Sequence, residues 1–174
     1  MSKLPEDIRR MALAITRAVE DTIPRRVGKE GVDYFKKSFA DQGWDGKPWK
    51  DVKRRDSASS WYGFNAGAKR RRPGVKARKK EGKGNFSKAA TTRAILKGPA
   101  ASLVRSLRYR KEAGGRVIWS SSRPYAKVQN EGGKIKVFGK ATRQLAKRQF
   151  MGYSTIFDLR IDQIVELEMK KAQQ

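Results

Sequence analysis

Apolar residues recur every three to four positions over residues 5–23, where Ile8, Met11, Ala12, Ile15, Val19 and Ile23 fall along one stripe of a helix. Pro5 suits a first helical position, and Glu6 and Asp7 sit where the helix dipole favours negative charge. Pro24 lacks an amide hydrogen and predicts an end or a kink. Beyond it, Val27, Gly31, Tyr34, Phe35, Ser38 and Phe39 share a face of a second helical stretch. Gly28 and Gly31 lower its intrinsic helix preference but permit close packing. The pattern stops at residues 40–49, where Gly43, Gly46 and Pro48 predict a turn that carries Trp44 and Trp49. Both indoles read as caps on the core, since indole contributes chiefly buried area.

Periodicity returns near Thr91. Ala94, Ile95 and Leu96, then Ala101, Leu103, Val104 and Leu107, predict a short helical stretch broken at Gly98-Pro99. Residues 106–121 read as a hairpin: Leu107 and Tyr109 alternate with bases, a Glu-Ala-Gly-Gly turn follows, and Val117, Ile118 and Trp119 return. Residues 124–131 predict a brief helix that stops at Gly132-Gly133, and Ile135, Val137 and Phe138 a third short strand. Ser154 or Thr155 can cap a last helix running to Lys171, with Asp158 in its first turn and Lys170 and Lys171 in its last. Phe157, Ile161, Ile164, Val165 and Leu167 supply its apolar side. The expected class is α+β: a long, kinked N-terminal helix, a small antiparallel sheet and a C-terminal helix, in one domain over residues 1–174.

Composition narrows the chemistry. Cysteine and histidine are both absent, which removes disulfides, thiol nucleophiles, Cys/His zinc sites and histidine general bases. Acids are few and scattered, without a convincing two-metal cluster. We therefore expect no enzyme and no cofactor. No apolar run approaches the ~20 residues of a membrane span, and Glu6, Asp7, Arg9 and Arg10 interrupt any signal-peptide core. A soluble protein made in the cytoplasm, with no membrane partner, is the expectation.

Charge changes the picture more. The 42 Lys and Arg against 17 Asp and Glu leave a formal net charge of +25 in 174 residues. Much of the excess lies in residues 53–90, expected to form an extended basic arm. Lys69, Arg70, Arg71, Arg72, Lys76, Arg78, Lys79, Lys80 and Lys83 stand there against a single acid, Glu81, with no apolar periodicity. Trp61, Tyr62 and Phe64 can anchor its base. Three fates are open to such an arm: non-specific contact with DNA phosphates, folding onto an acidic neighbouring protein, or plain solvation.

Three patches, in order and spacing, resemble the phage virion morphogenesis family, the Mu-like group related to tail-completion and neck proteins of long-tailed phages. They are FKKSFADQGWDGKPW at residues 35–49, the run from Ala94 to Gly133 that ends in YAKVQNEGG, and KRQFMGYS at residues 147–154. The resemblance fails across residues 53–90, and Gln129 stands where members often carry histidine beside the "YA" pair. It implies a non-catalytic virion protein at the neck or head-proximal end of the tail. It further implies a homo-oligomeric ring of six or twelve subunits touching neighbouring neck and tail-tube proteins. Tyr125, Ala126, Gly132, Gly133, Arg148, Phe150 and Gly152 would then define the fold or meet a neighbouring subunit, as would Trp44 and Trp49. Taken as residues alone, Phe150 reads more readily as core than as a plug for a neighbour. Arg148 can pair with an acid on the last helix of its own or the next subunit. The competing function, carried by charge alone, is a basic protein that binds nucleic acid without sequence preference.

Overall fold

The architecture follows from one helical rod. A computed structural model describes residues 5–64, 86–98, 102–137 and 141–174. Helix α1 (Glu6–Arg17) runs through a π turn (Ala18–Thr22) into helix α2 (Ile23–Asp41) without a break. Pro24 explains the wide turn, because its ring offers no amide to the preceding turn and crowds the carbonyl four residues back. The Ile23 amide instead reaches back to the Ala18 carbonyl, five residues away. The irregularity expected at Pro24 is thus a widened turn rather than an end.

Helix α2 is the centre of the molecule and buries Pro24, Val27, Gly28, Gly31, Val32, Phe35, Ser38 and Phe39. Helix α6 (Thr155–Ala172) lies along it, with the Phe157 ring stacked on Tyr34 at 5.1 Å between centroids. Arg160 pairs with Glu30 at 2.8 Å, and Arg26 pairs with Glu168. Strands β3 (Leu107–Lys111) and β4 (Val117–Ser121) form an antiparallel hairpin over another part of α2. Tyr109 meets it at Gly28 and Trp119 at Gly31, and the Trp119 indole donates to the Gly28 carbonyl at 3.0 Å. The rest of the core is Phe39, Trp49, Ile95, Leu103, Leu107, Ala126 and Phe150.

The sheet is divided rather than single. Short strands β1 (Gly43–Trp44) and β2 (Lys47–Pro48) pair around Asp45-Gly46, both at positive φ. Strand β5 (Gly133–Val137) pairs with β6 (Ala141–Leu145), a partner the apolar pattern does not announce. The helical stretch expected over residues 94–107 is short: α4 covers only Ser102–Arg105, and Leu96 sits in the left-handed region at φ 57. A further helix, α3 (Lys88–Thr92), precedes it, and α5 (Ala126–Glu131) stops at Gly132.

Two apolar faces behave differently from the sequence reading. Helix α1 buries none of its residues, and Ile8, Met11 and Val19 are 45%, 41% and 44% exposed. On α6, Leu167 is 46% exposed, whereas its neighbour Glu168 is buried. That carboxylate answers Lys171 at 2.9 Å as well as Arg26, and the two cations hold its pKa below the ordinary glutamate value, Lys171 foremost, against the opposing effect of burial. A folded-state pKa below the unfolded one adds stability above the unfolded value and loses it as pH falls through the folded one. Glu168→Gln is therefore expected to flatten the acid limb of a pH–stability curve below about pH 4.5, measured by urea denaturation across the acid range. An unchanged acid limb would exclude Glu168 from it.

Candidate functional site

The three sequence patches meet in space. The chain leaves α2 at Gln42, which is in the left-handed conformation at φ 55, and the Trp49 amide closes back onto the Gln42 carbonyl at 2.8 Å. The Gln42 amide side chain also receives the Ile95 amide, tying the turn to the middle of the chain. Trp49 is buried edge-on against Phe39, and its indole N–H donates to the Gln149 carbonyl at 2.7 Å. Trp44 is half-buried and stacks on Phe35 at 6.0 Å. Next to it Tyr34 Oη donates to Asp45 Oδ1 at 2.6 Å, and Ser154 Oγ shares that carboxylate oxygen at 2.8 Å. Ser154 Oγ also caps α6 by accepting from the Phe157 amide. One hydroxyl thereby joins the tryptophan turn to the last helix.

Asn130 is the central tie. Its Oδ1 accepts from the Phe150 and Met151 amides at 2.8 and 3.0 Å, and its Nδ2 donates to the Met151 carbonyl at 2.9 Å. The Arg148 amide donates to the Gln129 carbonyl at 3.0 Å, so the segment that starts at Arg148 is tied to α5. Gly132, at φ 77, has no room for a side chain: a Cβ there would lie 2.8 Å from the Lys147 amide nitrogen. Phe150 is 0% exposed and packs on Phe39 at 5.0 Å. Ala126 is buried; Tyr125 is exposed and shares a hydrogen bond with Ser102 at 2.9 Å. Gly133 faces open space, and Gly152 stands at φ 144 just ahead of the α6 cap. Asn130 lay outside the residues singled out from sequence, since an asparagine near a helix end has many uses. Asn130→Ala is expected to cost about 2–3 kcal/mol of unfolding free energy, because two partly buried amides lose their acceptor. A loss under about 0.5 kcal/mol in denaturant titration would mean that solvent replaces that acceptor.

Within its own chain Arg148 has a different partner from the acid of the last helix. No acid of α6 reaches it; its Nη2 donates to the Lys50 carbonyl at 3.3 Å. Nearby, Arg54 Nη2 donates to the Arg93 and Ala94 carbonyls at 2.5 and 3.0 Å. Arg55 donates to the same Arg93 carbonyl at 3.1 Å and meets Asp51 at 3.3 Å. Burial, and for Arg54 the like charges of Arg93, Arg55 and Arg148, depress the guanidinium pKa values of Arg54 and Arg148.

The basic residues Lys69, Arg70, Arg71, Arg72, Lys76, Arg78, Lys79, Lys80 and Lys83 lie outside the described residues. The flanks of that stretch are joined: Phe64 bridges to Phe86, and the Ser87 amide donates to the Gly63 carbonyl at 2.9 Å. Trp61 packs edge-on against Phe64 at 4.9 Å, and Arg143 of β6 lies over its ring at 5.4 Å. Residues 53–64 and 86–90, counted with the arm in the sequence reading, fold onto the body as turns and the start of α3.

Among the described residues no group of three or more acids lies close enough to hold a metal ion, and no helix is long and apolar enough to cross a membrane. Comparison with protein-family models, with curated proteins and with solved structures finds no match for this chain.

Proposed function

We propose that this chain is a structural virion protein of a tailed phage, a ring-forming neck or tail-completion component with no catalytic step. The observation that carries the reading is the meeting of the three family-like patches around Phe39, Trp49, Asn130 and Phe150. Residues far apart in sequence are the ones that hold one another, as a shared scaffold requires. The surface adds support: Ile8 and Met11 on α1 and Val19 in the π turn, with Ile156, Leu159 and Leu167 on α6, are large apolar side chains left exposed. Such stripes suit contacts between subunits. Ring formation by six or twelve copies, contact with neighbouring neck and tail-tube proteins, and a place in the virion belong to this proposal.

The test is electron microscopy of a lysate from the source phage with this gene deleted. Full heads beside free tails are expected, and tails of irregular length would specify a terminator rather than a head-side connector. Intact, joined particles would remove the protein from the neck. A second reading, non-specific nucleic-acid binding, is favoured by the net charge of +25. It requires a steep fall of DNA affinity with salt, together with normal particles from the deleted phage.

A further inference from the structure

Arg54, Arg55 and Arg148 come from two parts of the chain, the turn after β2 and the segment after β6, and bring three cations together. Arg54 and Arg55 share one acceptor, the Arg93 carbonyl, so their guanidinium groups are neighbours. One carboxylate, Asp51, serves the group; it bonds Arg55 and is largely exposed. Arg148 is only 7% exposed, yet it has no carboxylate partner among the described residues. The Nε atoms of all three arginines are buried without an acceptor. Nη1 of Arg54 and Nη1 of Arg148 make no hydrogen bond among the described residues.

We propose that Arg54, Arg55 and Arg148 form a binding site for a phosphate group.

Stapling the turn to residues 92–94 accounts for part of this arrangement, but a staple to neutral carbonyls adds no negative charge, and Asp51 is the one carboxylate that answers the group among the described residues. Arg148 is buried and Arg54 and Arg55 are half-buried, with one exposed carboxylate among them, so an anion entering beside them relieves their mutual repulsion. Burial is the first cause of the depressed guanidinium pKa of Arg54, and the like charges of Arg93, Arg55 and Arg148 add to it against Asp51. The geometry favours phosphate over carboxylate. A planar carboxylate is filled by a single bidentate fork, whereas a tetrahedral phosphate presents oxygens to donors from several directions. Here the guanidinium groups come from two segments, residues 54–55 and residue 148. Lys50 flanks the site in sequence and adds to the attraction. The phosphate can belong to a nucleic-acid backbone, where the diester keeps two free oxygens and one negative charge, or be free in solution; both accept hydrogen bonds at a tetrahedral centre. The inference does not depend on the neck reading, because a ring protein and a free nucleic-acid binder can each carry such a site.

The test uses the full chain in two arms. In the first, thermal unfolding is compared in inorganic phosphate, acetate and chloride at equal ionic strength. Phosphate is expected to raise the midpoint above both controls. Arg55→Gln and the charge-keeping Arg148→Lys should abolish that increment, while Lys53→Gln, an exposed neighbour with the same charge loss as Arg55→Gln, should retain it. Equal midpoints in the three salts, an equal effect of acetate, or a phosphate increment that survives in Arg148→Lys would each overturn the proposal. Arg148→Lys keeps the charge but not the fork, and Arg55→Gln leaves Arg148 in place, so a folding failure in one variant does not silence the other.

In the second arm a labelled duplex is titrated by anisotropy. An affinity loss of about tenfold in Arg55→Gln, the scale of one charge-assisted hydrogen bond, with little change in Lys53→Gln, assigns the phosphate to nucleic acid. Retained duplex affinity alongside a lost phosphate increment assigns the site to a free phosphate.

Discussion

Replacing Phe150 by alanine is expected to remove about 3–5 kcal/mol of unfolding free energy. The ring is fully enclosed and touches Phe39, which in turn holds Trp49, so its removal opens a cavity where three segments join. Collapse into that space is resisted by the backbone, because the Phe150 amide is fixed by Asn130 and the preceding carbonyl, Gln149, by the Trp49 indole. For a chain of this length the loss corresponds to a fall in melting temperature on the order of 10 °C. Phe150→Leu, which keeps most of the volume, should lose about 1 kcal/mol. Urea denaturation followed by far-UV circular dichroism measures both. Were alanine to cost no more than leucine, the ring would not be filling a rigid cavity, and a contact with a neighbouring subunit would become the better account of it.

Gly31→Ala sets two effects of opposite sign against each other. In an isolated helix the change would gain about 1 kcal/mol. In this fold the new methyl group would enter the Trp119 indole, lying 2.8 Å from Cζ2 and nearer still to Nε1. The indole cannot step aside freely, since its N–H is bonded to the Gly28 carbonyl and its ring lies edge-on to Phe35 and Phe157. Overpacking of this kind costs about 1–3 kcal/mol, and with an indole held on three sides it is expected to exceed the propensity gain, for a net loss of up to about 2 kcal/mol. A second, independent clash awaits at Gly28, where a Cβ would lie 2.7 Å from Tyr109 Cγ. The diagnostic measurement is a double-mutant cycle with Trp119→Phe: the smaller ring should recover part of the Gly31→Ala loss. Strict additivity would mean that the helix and the hairpin do not press on each other at this point.

These positions also show how far the sequence could be read. The glycines of α2 were legible as points of close packing because nothing else recommends glycine inside a helix, but which element would approach was not. The β3–β4 hairpin was legible because alternation and a Gly-Gly turn coincide. Strand β6, ATRQL, escaped notice because it has little apolar alternation and is held by its pairing with β5. The apolar side of α6 was misread at its end, where Glu168 turns inward to meet Arg26 and Leu167 faces out. Periodicity counts apolar residues and has no means of anticipating a buried ion pair. The same blindness hid Asn130, Arg54 and Arg55, whose roles exist only once distant carbonyls and amides are brought beside them.

The π turn ahead of Pro24 has a consequence for how this molecule can vary. A helical residue advances the azimuth of everything before it by about 100° about the axis. Gaining or losing one residue within Ala18–Thr22 would therefore swing the compass bearing of Ile8, Met11 and Ile15 by roughly that angle, while leaving α2 and its core contacts as they are. The bearing of the N-terminal apolar stripe and the identity of its side chains are thus separately adjustable. A single codon in that turn is enough to re-aim the stripe at a differently placed neighbour.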